Sequence, residues 1–196
     1  MGNPTISWYD DNAEQLASRY DQADAATLHA LLAKWIPSGS SVLEIGCGSG
    51  RDALFLASLG YTVTALDGSG SMIAEARKKL SAQEAANVSF QRAFFPLPDD
   101  HPLLSKKFNA VTAIAVLMHI PDTELFPFAC QVKLLLEDGG IFFCSFCCGE
   151  RQEKDVRLYV DREPGEVQLL FERLGFRFLA REETKDGLGR NMLWTS

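Results

Sequence analysis

The chain has 196 residues, 46% of them hydrophobic, and a net charge of −7. That is enough apolar material for one domain with a sizeable core and too much for a disordered chain. No apolar run reaches membrane-span length, the first residues carry no basic segment leading into an apolar one, and an acidic balance without a dense Lys/Arg run argues against a nucleic-acid substrate.

Residues 10–20 and 23–36 read as two helices; in the second, Leu28, Leu31, Leu32 and Trp35 form one apolar stripe. Pro37-Ser38-Gly39-Ser40 breaks it. Val42, Leu43 and Ile45 then suit a buried strand that stops in Gly46, Gly48 and Gly50. A helix over 51–59 and a strand over 61–66, ending in Asp67, come next. After them the pattern predicts a helix over 70–82, a strand over 88–93, a strand over 109–115, a helix over 122–136 and a strand over 140–146. Such alternation implies parallel strands joined by right-handed crossovers. In the tail, Glu163 to Leu174 reads as a helix ended by Gly175, and Phe176 to Arg181 as a strand. A turn at Asp186 to Gly189 precedes an antiparallel return at Asn191 to Thr195. The expected fold class is α/β: a three-layer, doubly wound sheet of seven strands, mostly parallel with an antiparallel last strand. It forms a single domain over 1–196, with 1–37 as an N-terminal helical cover.

Strand, glycine turn and helix mark where open α/β sheets bind nucleotide-like ligands. A dinucleotide fingerprint would put its third glycine at position 51, where this chain has Arg51; Gly50 comes one residue early. Asp67 stands about twenty residues past the first glycine, as expected of an acid that holds ribose hydroxyls. A G-x-G-x-G turn with a ribose acid resembles the class I, Rossmann-like S-adenosylmethionine-dependent methyltransferases. The resemblance runs on through Gly60 to Ser69, Phe90 to Pro98, Phe108 to Pro121 and Leu134 to Gly140. Two positions depart from the family pattern: Arg92, where many relatives have an adenine-binding aspartate, and Asn109, at a position that is usually structural.

The resemblance implies S-adenosylmethionine as cofactor, with S-adenosylhomocysteine as product. It implies cofactor contacts from Glu44, Gly46, Cys47, Gly48, Gly50, Asp67, Gly68, Met72, Ala93, Phe94, Ala113 and Ile114. The glycines would bring main chain against the methionyl and ribosyl parts, Asp67 would take the ribose diol, and Met72, Ala93 and Phe94 would hold the adenine. Ser69 or Ser71 can cap the helix that follows Asp67, which frees the carboxylate for ribose. Arg51 reads equally as a partner of the cofactor carboxylate or as a solvated or salt-bridged side chain, and Asp52 suits a helix N-terminus.

His119 follows the fourth strand, at the edge where ligands collect, and is the candidate catalytic base; the alternative is a histidine that packs over the cofactor or bonds loop backbone. Trp8, Tyr9 and Tyr20 lie in the cover segment, where aromatic faces suit a sulfonium. Tyr9 and Tyr20, with Arg157 and Tyr159 in the charged stretch from Cys147 to Asp161, are the candidate substrate contacts. Cys144-x-x-Cys147-Cys148 lacks a nearby His or a second pair, so no metal site is expected. The function expected is methyl transfer to a small-molecule acceptor in the cytoplasm, by a monomer or homodimer without membrane or nucleic-acid partners. The alternative is a non-catalytic, cofactor-binding regulatory or partner subunit. A nicotinamide-dependent reductase is disfavoured by Arg51.

Overall fold

The structure is a computed structural model and describes residues 3–148, 156–185 and 193–195. Helix α1 (Pro4–Asp21) starts six residues earlier than the apolar pattern suggests, because Asn3 Oδ1 accepts from the amides of Thr5 and Ile6 at 2.9 and 3.3 Å and Pro4 occupies the first turn. Helix α2 (Ala26–Trp35) is shorter than expected; Asp24 Oδ1 accepts from Ala26 N at its start.

Five strands run parallel: β1 (Ser41–Ile45), β2 (Thr62–Asp67), β3 (Val88–Arg92), β4 (Phe108–Ile114) and β5 (Leu136–Cys148). Helices α3 (Arg51–Ser58), α4 (Gly70–Lys78) and α5 (Asp122–Leu135) make crossovers, and α6 (Pro164–Arg173) follows β5. Two three-residue strands, β6 (Glu183–Lys185) and β7 (Leu193–Thr195), complete the order β3-β2-β1-β4-β5-β7-β6, with β7 antiparallel to both neighbours. β1 has β2 on one side and β4 on the other, so the winding reverses there. A crevice opens at the carboxyl ends of these strands.

Phe176 to Arg181 is not a strand. β7 reaches only Phe146 to Cys148 of β5, and among the described residues this upstream stretch has no strand beside it. Phe176 turns instead into an aromatic cluster with Phe142 and Phe171. The turn expected at Asp186 to Gly189 lies outside the described residues. β5 begins at Leu136, directly after α5: Leu136 pairs with Phe108, and the register then shifts to Ala110 opposite Ile141. Helix α4 stops at Lys78, short of residue 82.

Side chains alternate across the sheet and build two cores. Leu43, Ile45, Val111 and Ala113 pack under Phe128 and Val132 of α5. Val42, Ala65 and Ala110 pack under Leu32, Ala53 and Leu56 of α2 and α3. Asn109 ties strand ends together: its Oδ1 accepts from Ser41 N at 2.9 Å and Ser41 Oγ at 3.0 Å. Helix α1 joins neither core; Ala13 and Leu16 pack on Met72 of α4, which lays α1 beside the crevice. Among the described residues no helix is long and apolar enough to cross a membrane.

Candidate active site

A cavity of about 840 Å³ occupies the crevice, floored by the glycine turn and roofed by α1. The backbone at Gly46 and Gly48 takes φ of +71° and +54°, a region costly for residues with a Cβ. At Gly46 an added Cβ would fall 2.4 Å from Val116 Cγ2. Asp67 closes the turn: its two oxygens accept from Gly48 N and Ser69 N, both at 2.8 Å. Burial pushes the Asp67 carboxyl up, and these two amide donors oppose that only in part. Each oxygen keeps acceptor capacity for a hydroxyl. The carboxylate, the close backbone and the cavity size fit a ribosyl cofactor.

Gly68, Met72, Ala93 and Phe94 line the end beyond Asp67, beneath Ile6 of α1. Ser69 Oγ caps α4 by accepting from Met72 N at 3.1 Å. The Ala93 amide is taken by Asp67 O at 3.0 Å, leaving the Ala93 carbonyl for a donor such as an amino group. Arg92 turns away onto the loop, donating through Nε to Gly68 O at 3.0 Å. Cys47 and Ile114 also line the cavity.

Three expected cofactor residues do not reach it. Ala113 is fully buried in the α5-facing core, because neighbours on a strand face opposite sides and Ile114 takes the cavity side. Gly50 serves packing: with φ +80°, it lies where a Cβ would meet Phe90 Cζ at 2.8 Å and Ala76 Cβ at 2.9 Å. Glu44 is 2% exposed beneath the turn, and its Oε2 has no hydrogen-bond partner among the described residues. Burial, then repulsion from Asp52, pushes the Glu44 carboxyl well up. Arg51 pairs with Asp52, Nε to Oδ1 at 2.8 Å and Nη2 to Oδ2 at 3.0 Å, and His29 Nε2 lies 2.8 Å from the same Oδ1. Burial alone would raise Asp52; His29 and Arg51 outweigh it and hold the carboxyl low.

The remaining candidates meet at the other end. Tyr9, Tyr20, His119, Arg157 and Tyr159 all line the cavity. His119 Nδ1 lies 2.7 Å from Leu158 O, so that nitrogen carries the proton and donates. Nε2 of the neutral ring is then an acceptor, 3.1 Å from the Tyr9 hydroxyl. Arg157 Nη1 donates to the same hydroxyl at 3.2 Å, and its guanidinium stacks 3.9 Å over Trp8. Burial, then Tyr20, pushes the Tyr9 phenol up, against the pull of Arg157. Tyr159 Oη sits 3.0 Å from Cys147 Sγ. Burial pushes the Cys144 thiol up to about 12. Residues Glu150, Arg151, Glu153, Lys154 and Asp155 of the charged stretch lie outside the described residues.

Sequence reasoning passed over Ile6 and Ser145, which line the cavity, and Asp10, whose Oδ1 accepts from Ser69 Oγ at 2.6 Å and Ser71 N at 3.1 Å. A polar residue every few positions on a solvated helix looks the same whether it clasps a loop or not. A second opening, of about 890 Å³, lies among β5, α6 and residues 175–182 and holds none of the candidate residues.

The fold and this site define an α/β enzyme-like domain whose glycine turn and ribose acid suit an adenosyl ligand. Residues 42–140 match the methyltransferase domain family, and the chain belongs to it, a class I S-adenosylmethionine-dependent methyltransferase family. A ubiquinone biosynthesis O-methyltransferase of Xanthomonas axonopodis pv. citri is 32% identical over 145 residues, spanning 69% of this chain and 59% of the relative. The chain thus spans about 59% of the length of that curated relative. Among solved structures, DhpI in complex with SAM and HEP superposes with a TM-score of 0.70 at 23% identity, over 98% of this chain and 94% of that one. The glycopeptide N-methyltransferase MtfA with sinefungin gives 0.69 at 20% identity, over 88% and 85%.

Proposed function

We propose that this chain transfers a methyl group from S-adenosylmethionine to a hydroxyl of a small molecule. The observation that carries the reading is the Tyr9–His119 contact in the same cavity as the Asp67 carboxylate. The sulfonium supplies an electrophilic methyl, so the protein's tasks are alignment, exclusion of water and removal of the acceptor's proton. Gly46, Gly48 and Asp67 hold the cofactor, with Gly68, Met72, Ala93, Phe94, Cys47 and Ile114 around it. Helix α1 acts as a cover. Tyr9, Tyr20, Arg157 and Tyr159 border the acceptor.

The proton leaves through Tyr9. Its hydroxyl takes the acceptor's proton as it gives its own to His119 Nε2, so no phenolate has to form in a setting that disfavours one. Arg157 steadies the negative charge that grows on the phenol oxygen during this exchange. An oxygen acceptor is favoured because it must lose a proton; the named O-methyltransferase relatives support the same choice.

The test is calorimetry with S-adenosylhomocysteine, then methyl transfer to a panel of phenols, carboxylic acids, amines and thiols. Binding together with transfer to a hydroxylated acceptor supports the reading. Binding with no transfer to any acceptor assigns a non-catalytic subunit, and no binding at millimolar ligand ends the cofactor assignment.

A further inference from the structure

Arg162 lies outside the cavity and takes no part in the proton path. It is 6% exposed, between the acids Asp161 and Glu163 in sequence. A guanidinium out of water is costly unless its donors are met. Here they are met by main chain as well as by a carboxylate. Nε donates to Leu117 O at 3.2 Å, Nη2 donates to Ile120 O, and Nη1 pairs with Asp122 Oδ1 at 2.5 Å. The two carbonyls bracket His119. The Asp122 carboxylate takes one donor from the exposed side, its side chain 77% exposed, and the other two bonds tie the guanidinium to the turn itself.

The strand of chain that carries Arg162 also holds the ring itself. Val160 N donates to Met118 O at 2.8 Å, and Leu158 O accepts from His119 Nδ1. Leu158 N in turn donates to Thr5 Oγ1 of α1 at 2.8 Å. Residues 158–162 thus fasten the turn at 117–120 on both sides of the histidine and join it to the cover helix.

Resting on the reading of His119 as proton acceptor, we infer that Arg162 is a positioning residue. Its planar fork sets the turn at Leu117 to Ile120 so that Leu158 O meets Nδ1 and the lone pair on Nε2 faces Tyr9. A lysine offers a compact point charge on a flexible stem in place of the planar fork, so it cannot hold the two carbonyls at the guanidinium's fixed spacing.

Nitrogen NMR of the imidazoles tests this without any acceptor. The protein has three histidines, and His119→Asn identifies the His119 signals. The wild-type protein, alone and with S-adenosylhomocysteine, is expected to show a pyridine-type signal on Nε2 and a pyrrole-type signal on Nδ1. In Arg162→Gln these two signals should move toward each other as tautomers mix, with Arg162→Lys between the extremes. Asp122→Asn, which keeps both carbonyl bonds, should match the wild type. Wild-type His119 signals in folded Arg162→Gln overturn the inference. Failure of both Arg162 variants to fold overturns it too, since the guanidinium then holds the fold and not the histidine. If His119→Asn leaves turnover unchanged, the base assignment fails, and the spectra still decide what Arg162 does.

Discussion

His119 Nε2 lies 3.1 Å from the Tyr9 hydroxyl, across 110 residues of chain. The contact joins the cover helix to the turn after β4, and the tautomer fixed by Leu158 O makes the nitrogen the acceptor. Tyr9→Phe keeps the ring and removes the relay. Its turnover with a hydroxyl acceptor should fall about 100-fold, a usual share for positioned acid–base groups. S-adenosylhomocysteine affinity should stay within a few-fold. His119→Asn should cost a similar factor, and the double variant little more than either alone, because the two groups act as one unit. Rate losses that multiply in the double variant would separate the two residues; steady-state kinetics on the three variants reads this directly.

The glycine turn makes a prediction with a built-in control. Gly46 and Gly60 both have positive φ, +71° and +86°, but an added Cβ meets Val116 at 2.4 Å in the first and nothing within 4 Å in the second. Gly60→Ala should cost about 1 kcal/mol of stability from backbone strain alone, with ligand affinity unchanged. Gly46→Ala should cost about 2 kcal/mol or more, because crowding adds to strain, and should also weaken S-adenosylhomocysteine by displacing the cavity floor. Thermal unfolding and calorimetry on the pair would show it; equal losses would mean that crowding at Val116 is relieved freely.

The glycine turn and the place of Asp67 were legible because each is a local consequence of sequence. Glycines at alternate positions after an apolar strand force the turn, and an acid at the end of the next parallel strand falls beside it. Where an expected residue falls off the cavity wall, its facing or its packing is the cause. Ala113 and Ile114 differ by one residue and therefore by one side of the sheet, and Gly50 answers to Phe90 and Ala76, which no local pattern shows. At the other end of the cavity Tyr9, His119 and Arg157 were singled out in sequence one by one, but their mutual contacts are set by packing between distant segments. Arg162 drew no reading in sequence, because a charge looks alike there whether its donors meet water or carbonyls. The strand expected at Phe176 to Arg181 failed for a related reason: alternating apolar residues make a strand only where an edge is there to pair with.

Asp67 gives ligand binding a pH signature. Burial raises its carboxyl, and a ribose hydroxyl needs the ionised form as acceptor. Affinity for S-adenosylhomocysteine should therefore be full at neutral pH and fall as pH drops through the raised value, starting above the ordinary 3.8. Binding in that window should release protons, detected as a dependence of heat on buffer ionisation enthalpy. Asp67→Asn should lose about 10- to 100-fold at neutral pH, because its amide sets an N–H₂ against the donor of Gly48 or Ser69, and the pH dependence should flatten. A variant that keeps the wild-type pH profile would move the titration to another group.

Asp10 sets an order of events on acidification. Burial alone would raise its carboxyl, but the Ser69 hydroxyl, the Ser71 amide and Arg92 together hold it below the usual value of 3.8. A carboxyl lowered in the folded state adds stability that is present above its unfolded value and lost as pH falls through the lower, folded one. The clasp between α1 and the start of α4 should thus outlast the ribose contact, since Asp67 is raised where Asp10 is lowered. On titration downward, ligand affinity should fail first and hydrogen-exchange protection of α1 second. Asp10→Ala should reverse that order: α1 amides exchange faster at neutral pH, affinity drops only because the cover loosens, and the pH dependence set by Asp67 remains. If α1 protection and ligand affinity are lost together in the wild-type protein, the clasp and the ribose site titrate as one, and the separate roles given to Asp10 and Asp67 fail.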